Sequence, residues 1–153
     1  MKDFKALVFK IGQEEYAVHI NQVISIERMA EMTPYPNRLP HVVGVATIRE
    51  VVTPIVDLRA ALTGIKTDVL DEARIIVVQV EGNEVGLIVD AATDVLDIPS
   101  ETVQHPNLLE TRDVSYLIGI SKLADRLLIL LDINKLLNET TNLEELNQIK
   151  NLI

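Results

Sequence analysis

The sequence has no cysteine and few aromatic residues. Without cysteine in its 153 residues, the chain has no disulfide framework, no thiol nucleophile and no thiolate metal site. Aromatic residues make up 3% of the chain, whereas 48% of all residues are hydrophobic. The core must therefore consist mainly of Val, Ile and Leu, and the β-branched members of this set favour strands. This composition predicts a mainly β protein of one domain or two small subdomains.

Motifs of catalysis and of cofactor binding are also lacking. The three histidines, His19, His41 and His105, have neither the spacing of metal ligands nor a carboxylate partner at such a spacing. The six glycines form neither a phosphate-binding loop nor a nucleophile elbow. The sequence therefore predicts no catalytic residue, no bound metal and no cofactor.

Net positive charge and long hydrophobic runs are absent too. The formal net charge is −9, so phosphate backbones and anionic lipids repel the chain and nucleic acid is a poor partner. No hydrophobic run approaches the length of a membrane span, and residues 1–5 lack the hydrophobic region of a secretion signal. We therefore expect a soluble cytoplasmic protein that does not insert into the membrane.

What the sequence does contain is an internal repeat. A shift of 69 positions lays residues 6–20 over 75–89 without a gap, and each stretch reads as strand, polar turn and strand. The same shift places Val23 on Ala92 and Ile26 on Val95. Two ungapped copies indicate a duplicated small β unit rather than a solenoid, which needs more and shorter repeats.

A second register extends the repeat. A shift of 75 positions lays residues 41–58 over 116–133, with Gly44 on Gly119 and Asp57 on Asp132. Each copy is then a hairpin, a linking segment and a second hairpin. We expect residues 1–153 to form one domain of two subdomains, at about 4–64 and 73–138, with elements exchanged between them.

Helices are predicted to be short and to follow strands. Asp57 and Asp132 stand where each would cap the first turn of a short helix, and Gly64 follows the first helix as a C-terminal cap. Residues 141–153 have the spacing of an amphipathic helix, with Leu143, Leu146, Ile149 and Ile153 on one face. The sequence leaves open whether this tail packs on the body.

Three segments read as loops. Residues 33–40 contain three prolines, which exclude both helix and continuous strand pairing. Residues 65–71 form the expected linker between the repeats, and residues 104–115 form the polar loop of the second repeat. Asp90 follows a buried-looking run and is expected to end that strand by accepting backbone N–H bonds.

Four spaced motifs resemble the CheW family of chemotaxis coupling proteins. They are residues 44–49 (GVATIR), 52–59 (VTPIVDLR), 84–90 (EVGLIVD) and 130–137 (LLDINKLL). The resemblance spans about residues 4–138, and the motifs occur in the family's order. It implies two intertwined five-stranded SH3-like β-barrels with short helices and a C-terminal helix, which agrees with the repeat.

The resemblance also implies a role in scaffolding. A protein of this family couples a CheA-type histidine kinase, through its regulatory domain, to the cytoplasmic tip of a methyl-accepting chemoreceptor. Such a protein is cytoplasmic, is recruited to membrane-associated receptor arrays and is not an enzyme. A groove between the barrels is expected to accept the helical hairpin of the receptor tip, because an apolar groove accepts the apolar face of a helix.

Candidate binding residues follow from this comparison. The receptor-binding candidates are Ile20, Val23, Ile26, Ala92 and Val95 in the groove, with Arg49 at its edge. The kinase-binding candidates are Met32, Thr33, Pro34, Tyr35 and Gly44. Arg49 stands at a hairpin tip, where its guanidinium can reach carboxylates or exposed carbonyls. Tyr35 stands on a proline-rich loop whose docking costs little conformational entropy.

One position departs from the family pattern. The family usually has glycine after the arginine of the first motif, whereas this chain has Glu50. Glycine at that position permits a positive φ angle, so we expect Glu50 to favour a different turn and to add negative charge beside Arg49. The change either weakens or redirects a receptor contact, or shows only that the turn tolerates a side chain.

Three other functions remain open at this point. The chain could be a CheV-like coupling module without its receiver domain. It could also be an unrelated duplicated β-barrel that binds a small ligand, or an enzyme that uses clustered carboxylates and a divalent ion. Binding without turnover, a thermal shift with a small molecule and a response to chelation would distinguish the adaptor, the ligand module and the metal enzyme.

Overall fold

The computed structural model describes residues 3–66, 68, 71–105, 115–141, 146 and 148. The first repeat contains β1 (Phe4–Ile11), β2 (Glu14–His19), β3 (Val23–Arg28), β4 (Val42–Ile48), β5 (Val51–Asp57) and helix α1 (Leu58–Thr63). The second contains β6 (Arg74–Val80), β7 (Asn83–Val89), β8 (Ala91–Ile98), β9 (Val103–Gln104), β10 (Leu117–Leu123), β11 (Arg126–Leu131) and helix α2 (Ile133–Thr140). Apart from the two-residue β9, the order is the same in both repeats.

The strands form two mixed sheets that share hairpins between the repeats. One sheet has the order β8-β1-β2-β11-β10-β9, and the other has the order β3-β6-β7-β5-β4. The first hairpin of each repeat therefore pairs with the later strands of the other repeat. Each shared hairpin makes one antiparallel and one parallel pairing with the other repeat. The antiparallel pairs are β1 with β8 and β6 with β3, and the parallel pairs are β2 with β11 and β7 with β5. The mainly β fold with intertwined sheets that the sequence predicts is confirmed.

Each sheet closes on itself, because the chain that leaves one edge strand crosses to the opposite edge. After β8, a short 3₁₀ turn at Ser100–Thr102 leads into β9, which pairs with β10. After β3, the chain reaches Thr33, which exchanges backbone hydrogen bonds of 2.8 and 3.0 Å with Val45 of β4. We call the six-stranded closed sheet barrel 1 and the five-stranded closed sheet barrel 2.

The predicted helix caps are confirmed. The Asp57 side chain accepts the Ala60 N–H at 3.3 Å at the start of α1, and Asp132 accepts the Lys135 N–H at 3.1 Å at the start of α2. Gly64 ends α1 in the left-handed conformation. The prediction for Asp90 is also confirmed, because its Oδ2 accepts the backbone N–H of Gly12 at 2.6 Å.

The largest hydrophobic cluster lies between the barrels. It joins Leu7 and Phe9 of β1 to Ile76 and Val78 of β6, together with buried residues of both helices. We call it the inter-barrel core. Smaller clusters fill the interiors of barrel 1 and barrel 2. Two further strand faces border the inter-barrel core, and they carry the candidate groove.

Parts of three predictions lie outside the described residues. In the predicted tail helix, only Thr141, Leu146 and Gln148 are described, and Leu146 is 3% exposed within the inter-barrel core. Residues 106–114 of the predicted second loop, and residues 67, 69 and 70 of the linker, are not described. Among the residues that are described, no helix has the length and apolar character needed to span a membrane.

Candidate protein-binding groove and loop

The walls of the candidate groove are β3 and β8. In β3, Val23 lies opposite Val78 of β6, and Ile26 lies opposite Ile76. Residues directly opposite each other on paired strands share a face of the sheet. Val78 and Ile76 belong to the inter-barrel core, so Val23 and Ile26 are on the face that borders that core.

The second wall repeats this arrangement. In β8, Ala92 lies opposite Phe9 of β1, and Val95 lies opposite Leu7. Phe9 and Leu7 also belong to the inter-barrel core, and β8 packs against β6 as well as β1. The pairs predicted from the repeat therefore hold equivalent places on the two walls.

Exposure separates the groove candidates into two groups. Ile26 is 45% exposed and Val95 is 48% exposed, although both border the core. Ile20 and Val23 are half-buried and pack against the inter-barrel core, and Ala92 is also half-buried. Ile26 and Val95 are therefore the members whose side chains have most surface left for a partner.

Arg49 and Glu50 form the two-residue turn between β4 and β5. Both have positive φ angles, 52° and 69°, as a type I′ hairpin turn requires at its two central residues. The expectation that Glu50 would favour a different turn is therefore wrong. Both residues are exposed, and Arg49 makes no hydrogen bond or ion pair within the described part of the chain. The turn thus presents a free guanidinium next to a carboxylate.

The kinase-binding candidates lie on the segment that closes barrel 2. Thr33 and Pro34 are exposed, Met32 packs against the interior of barrel 2, and Tyr35 packs against the inter-barrel core. The Tyr35 carbonyl accepts a hydrogen bond from Arg38 Nη1 at 3.0 Å. The segment is therefore ordered by contacts on both of its sides.

Gly44 is buried beneath this segment. A Cβ atom at position 44 would stand 2.3 Å from the carbonyl oxygen of Thr33 and 2.9 Å from the Cα atom of Pro34. The position allows no side chain, and its role is to let the closing segment approach β4. Beside the crossing, a cavity of about 390 Å³ is lined by Ala30, Glu31, Thr33, Val45, Ala46, Thr47 and Val52.

An ion-pair cluster that no sequence pattern predicts lies at one end of barrel 1. The Arg126 guanidinium contacts Glu15 through Nη2–Oε2 at 2.5 Å and Nε–Oε1 at 3.2 Å. It also contacts Asp94 through Nη1–Oδ2 at 3.0 Å and Nη2–Oδ1 at 3.1 Å. One guanidinium thus bridges two carboxylates bidentately, and we call the three residues the Arg126 clamp.

The guanidinium and the two carboxylates stabilise one another's charged forms. Hydrogen bonds from Arg126 are the main cause that lowers the pKa of Glu15 and of Asp94 below their usual values. The two carboxylates in turn raise the pKa of the guanidinium. Charge-assisted bidentate pairs are stronger and more directional than ordinary surface pairs. The clamp therefore fixes the relative positions of β2, β8 and β11.

The described residues offer no metal site. Within the described ranges, no three histidine or carboxylate side chains are grouped so that they could hold an ion. The features that the described residues do offer are half-exposed aliphatic side chains on β3 and β8, an exposed arginine on a turn with positive φ angles, and an ordered loop. These features suit the binding of other proteins.

Comparison with known proteins identifies the family. The model of the CheW-like domain matches residues 5–141. The chain is 36% identical over 140 residues to the chemotaxis protein CheW of Bacillus subtilis, covering 90% of this chain and 89% of that protein. It is 36% identical over 135 residues to CheW of Klebsiella aerogenes, covering 86% and 80%.

A solved structure agrees with these matches. The scaffolding protein TtCheW of Thermoanaerobacter tengcongensis superimposes with a TM-score of 0.79 at 28% identity, covering 87% of this chain and 91% of that one. The shared fold, the matched family model and the relatives matched over most of their length lead to one conclusion: this chain belongs to the CheW family of chemotaxis scaffold proteins.

Proposed function

We propose that this chain is a non-catalytic adaptor that couples a CheA-type histidine kinase to methyl-accepting chemoreceptors. The observation that carries the proposal is the pair Ile26 and Val95, two half-exposed aliphatic side chains at equivalent places beside the inter-barrel core. A groove lined by aliphatic side chains suits the apolar face of a helix, and we assign these two side chains to such a groove. Membership of the CheW family supports the choice of partners.

The receptor tip occupies the groove in this proposal. Ile26 and Val95 provide the apolar contacts, while Ile20, Val23 and Ala92 shape the floor and connect it to the inter-barrel core. Arg49 contacts the receptor from the edge, where its guanidinium, which has no partner among the described residues, donates hydrogen bonds to a carboxylate or carbonyl oxygen of the receptor. This assignment keeps all six residues predicted from the sequence.

The kinase regulatory domain binds the segment that closes barrel 2. Thr33 and Pro34 offer exposed surface, Met32 and Tyr35 anchor the segment, and Gly44 allows it to lie close on β4. A segment that is already ordered loses little conformational entropy when a partner docks. The assembly is cytoplasmic and is recruited to the receptor array through the groove.

Reconstituted kinase activity tests the proposal. Purified CheA-type kinase and a soluble receptor signalling fragment are assayed for autophosphorylation with and without this protein. We expect the rate to rise only when all three components are present. The double variant Ile26→Asp with Val95→Asp is the negative control. It changes the groove and leaves the kinase-binding segment intact, so it should not support activation of the kinase.

Two results would refute the proposal. If the protein co-purifies with neither the kinase nor the receptor fragment, it is not a coupling protein. If the groove variant supports kinase activation as well as the wild type does, the groove is not the receptor site. A thermal-shift screen with small molecules then tests whether the duplicated barrel is a ligand-binding module instead.

A further inference from the structure

Asp94 and Val95 are neighbours on β8 that face opposite sides of the sheet. Asp94 pairs with Val8, which belongs to the interior cluster of barrel 1, and Val95 pairs with Leu7 of the inter-barrel core. A slip of one residue in strand register exchanges the two faces of a strand. Such a slip would place Asp94 in the apolar groove and withdraw Val95 from it.

A bulge interrupts the pairing of β8 with β1, and side-chain contacts at the bulge hold the register of the strand. Pairing with β1 shifts between Val8 and Phe9, which leaves Thr93 as the extra residue. The Thr93 hydroxyl donates to the Val8 carbonyl at 3.1 Å, and the next residue, Asp94, is held by Arg126. A hydrogen bond and a bidentate ion pair therefore hold the two residues at the bulge.

The other wall has the same bulge without the clamp. Pairing of β3 with β6 shifts between Val23 and Ser25, so Ile24 is the extra residue, 69 positions before Thr93. The repeat places Ser25 where barrel 1 has Asp94, and Val51 where it has Arg126. Glu84 stands where barrel 1 has Glu15, so one acidic member of the clamp is retained.

The polar groups at this second position are incompletely paired. Among the described residues, the buried Ser25 Oγ atom has no hydrogen-bond partner and Glu84 forms no ion pair. A serine without a partner contributes nothing to holding register. The clamp residues thus mark a difference between two otherwise equivalent walls.

Burial follows the same asymmetry. The eight-residue β8 includes Ile98, which is fully buried, and its end is tied down by the Ser100 N–H, which donates to Asp3 at 2.7 Å. The six-residue β3 contains no buried residue. Segments with few buried apolar contacts open locally at lower free energy than segments anchored in a core.

We propose that Arg126 is a positioning residue that makes β8 the fixed wall of the groove, and that β3, which lacks a clamp, is the wall that adapts to the partner. The proposal rests on the proposed function for the identity of that partner. The fixed wall presents Val95 in one register before binding, so ordering it costs nothing at the moment of docking. The adaptable wall lets one protein accept receptor helices whose side chains differ in size.

Amide hydrogen exchange on the free protein tests, without any partner, whether β8 is more rigid than β3. We expect the amides of residues 92–97 to exchange more slowly than those of residues 23–28. Arg126→Met should speed exchange at residues 92–97 by about tenfold or more, because the lock on the bulge is lost. Lys122→Met removes the same charge from an exposed position on β10 and should leave the exchange of β8 unchanged.

A transplanted clamp tests the second half of the proposal. Val51→Arg with Ser25→Asp places all three clamp residue types around Glu84, and exchange at residues 23–28 should then slow toward the rate of β8. Asp94→Asn removes one arm of the clamp while keeping its shape, and it replaces Arg126→Met if that variant does not fold. Unchanged exchange of β8 in both clamp variants would overturn the proposal.

Partner affinities separate positioning from a merely structural role. We expect Asp94→Asn to weaken binding of the receptor fragment by about tenfold while its affinity for the kinase regulatory domain stays within about twofold of wild type. An equal loss of both affinities would assign the clamp to general stability and would refute positioning. Absence of receptor binding in the wild type refutes the proposed function, whereas the exchange measurements still decide the role of the clamp.

Discussion

Gly44 and Gly119 hold the same place in the two barrels, 75 residues apart, and each lies under the backbone that closes its barrel. A Cβ atom on Gly44 would stand 2.3 Å from the Thr33 carbonyl oxygen, and one on Gly119 would stand 2.7 Å from the Gln104 carbonyl oxygen. Both contacts are with backbone, which cannot turn away as a flexible side chain can. The two glycines are thus required by the same step of barrel closure.

Gly44→Ala is therefore expected to cost about 3 kcal/mol of unfolding free energy, because the closing segment must shift and φ is +151° at this position. Gly119→Ala should cost less, since φ there is not positive. Gly82→Ala is the control, because its φ is +79° but no atom of the described residues lies within 4 Å of the added Cβ. Urea denaturation measures all three, and equal losses at positions 44 and 82 would contradict the argument from close approach.

The turn between β4 and β5 predicts a stabilising substitution. Glu50 has a φ of 69°, a conformation that costs a residue with a side chain roughly 1–2 kcal/mol. Glu50→Gly should raise the unfolding free energy by about 0.5–1 kcal/mol, since the backbone entropy of glycine offsets part of the gain. Asp125→Gly, at the equivalent position of the second repeat where φ is not positive, should give no gain. Thermal denaturation of both variants checks the sign.

The groove predicts a selective loss of receptor binding. Ile26→Asp and Val95→Asp each place a charge on a half-exposed side chain, so we expect folded proteins whose receptor affinity falls by about 100-fold when both changes are combined. Leu127→Asp, at a side chain that is 61% exposed on β11, is the matched control and should bind the receptor normally. Pull-down with a receptor fragment and circular dichroism separate lost binding from lost folding.

The closing segment predicts a separate loss of kinase binding. Tyr35→Ala removes the aromatic anchor that packs against the inter-barrel core, and aromatic anchors often carry about 2 kcal/mol or more at protein interfaces. We expect weaker binding of the kinase regulatory domain with receptor binding retained. Leu39→Ala changes an exposed hydrophobic residue of the same loop and serves as the control. Calorimetric titration with the kinase regulatory domain measures the affinity. An affinity of Tyr35→Ala equal to that of the wild type would contradict the assignment.

Much of the fold is readable from the sequence because a duplicated chain repeats its local requirements. The two registers place Asp57 on Asp132 and Ile26 on Val95, and the structure gives each pair matching partners. The predicted number of strands per barrel is nearly right. Barrel 1 gains only β9, a two-residue strand that closes the sheet where barrel 2 has a single bridge at Thr33.

Such sequence patterns do not predict the Arg126 clamp. Arg126 is 111 positions from Glu15 and 32 positions from Asp94, so its partners are set by barrel closure rather than by local spacing. The repeat even conceals the clamp, because the equivalent position holds Val51. The prediction for the turn at Glu50 is wrong for a related reason: the hairpin around it imposes a positive φ that the side chain itself disfavours.

His41 links the two repeats and predicts a pH dependence of stability. Its Nε2 atom is 2.7 Å from the Thr141 hydroxyl at the end of α2, and burial lowers the pKa of the half-buried imidazole below its usual value. The interaction of His41 with the backbone of Thr140 and the charge of Asp57 oppose this shift, but burial is the largest cause. The folded protein therefore favours the neutral ring, whereas the unfolded chain takes up a proton as the pH falls through about 6.5.

The stability that depends on a neutral His41 is thus fully present above about pH 6.5 and is lost as the pH falls toward the lower pKa of the folded state. His41→Gln keeps a hydrogen-bonding group near Thr141 but cannot titrate, so it should reduce the loss of stability between about pH 7.5 and pH 5.5. His105→Gln, at an exposed position, is the matched control and should keep the wild-type difference. Urea midpoints at the two pH values measure it, and an identical pH difference in wild type and His41→Gln would rule out this histidine as the cause. The carboxylates of the Arg126 clamp, whose pKa values are lowered, lose their contribution only at more acidic pH, so they do not obscure the comparison.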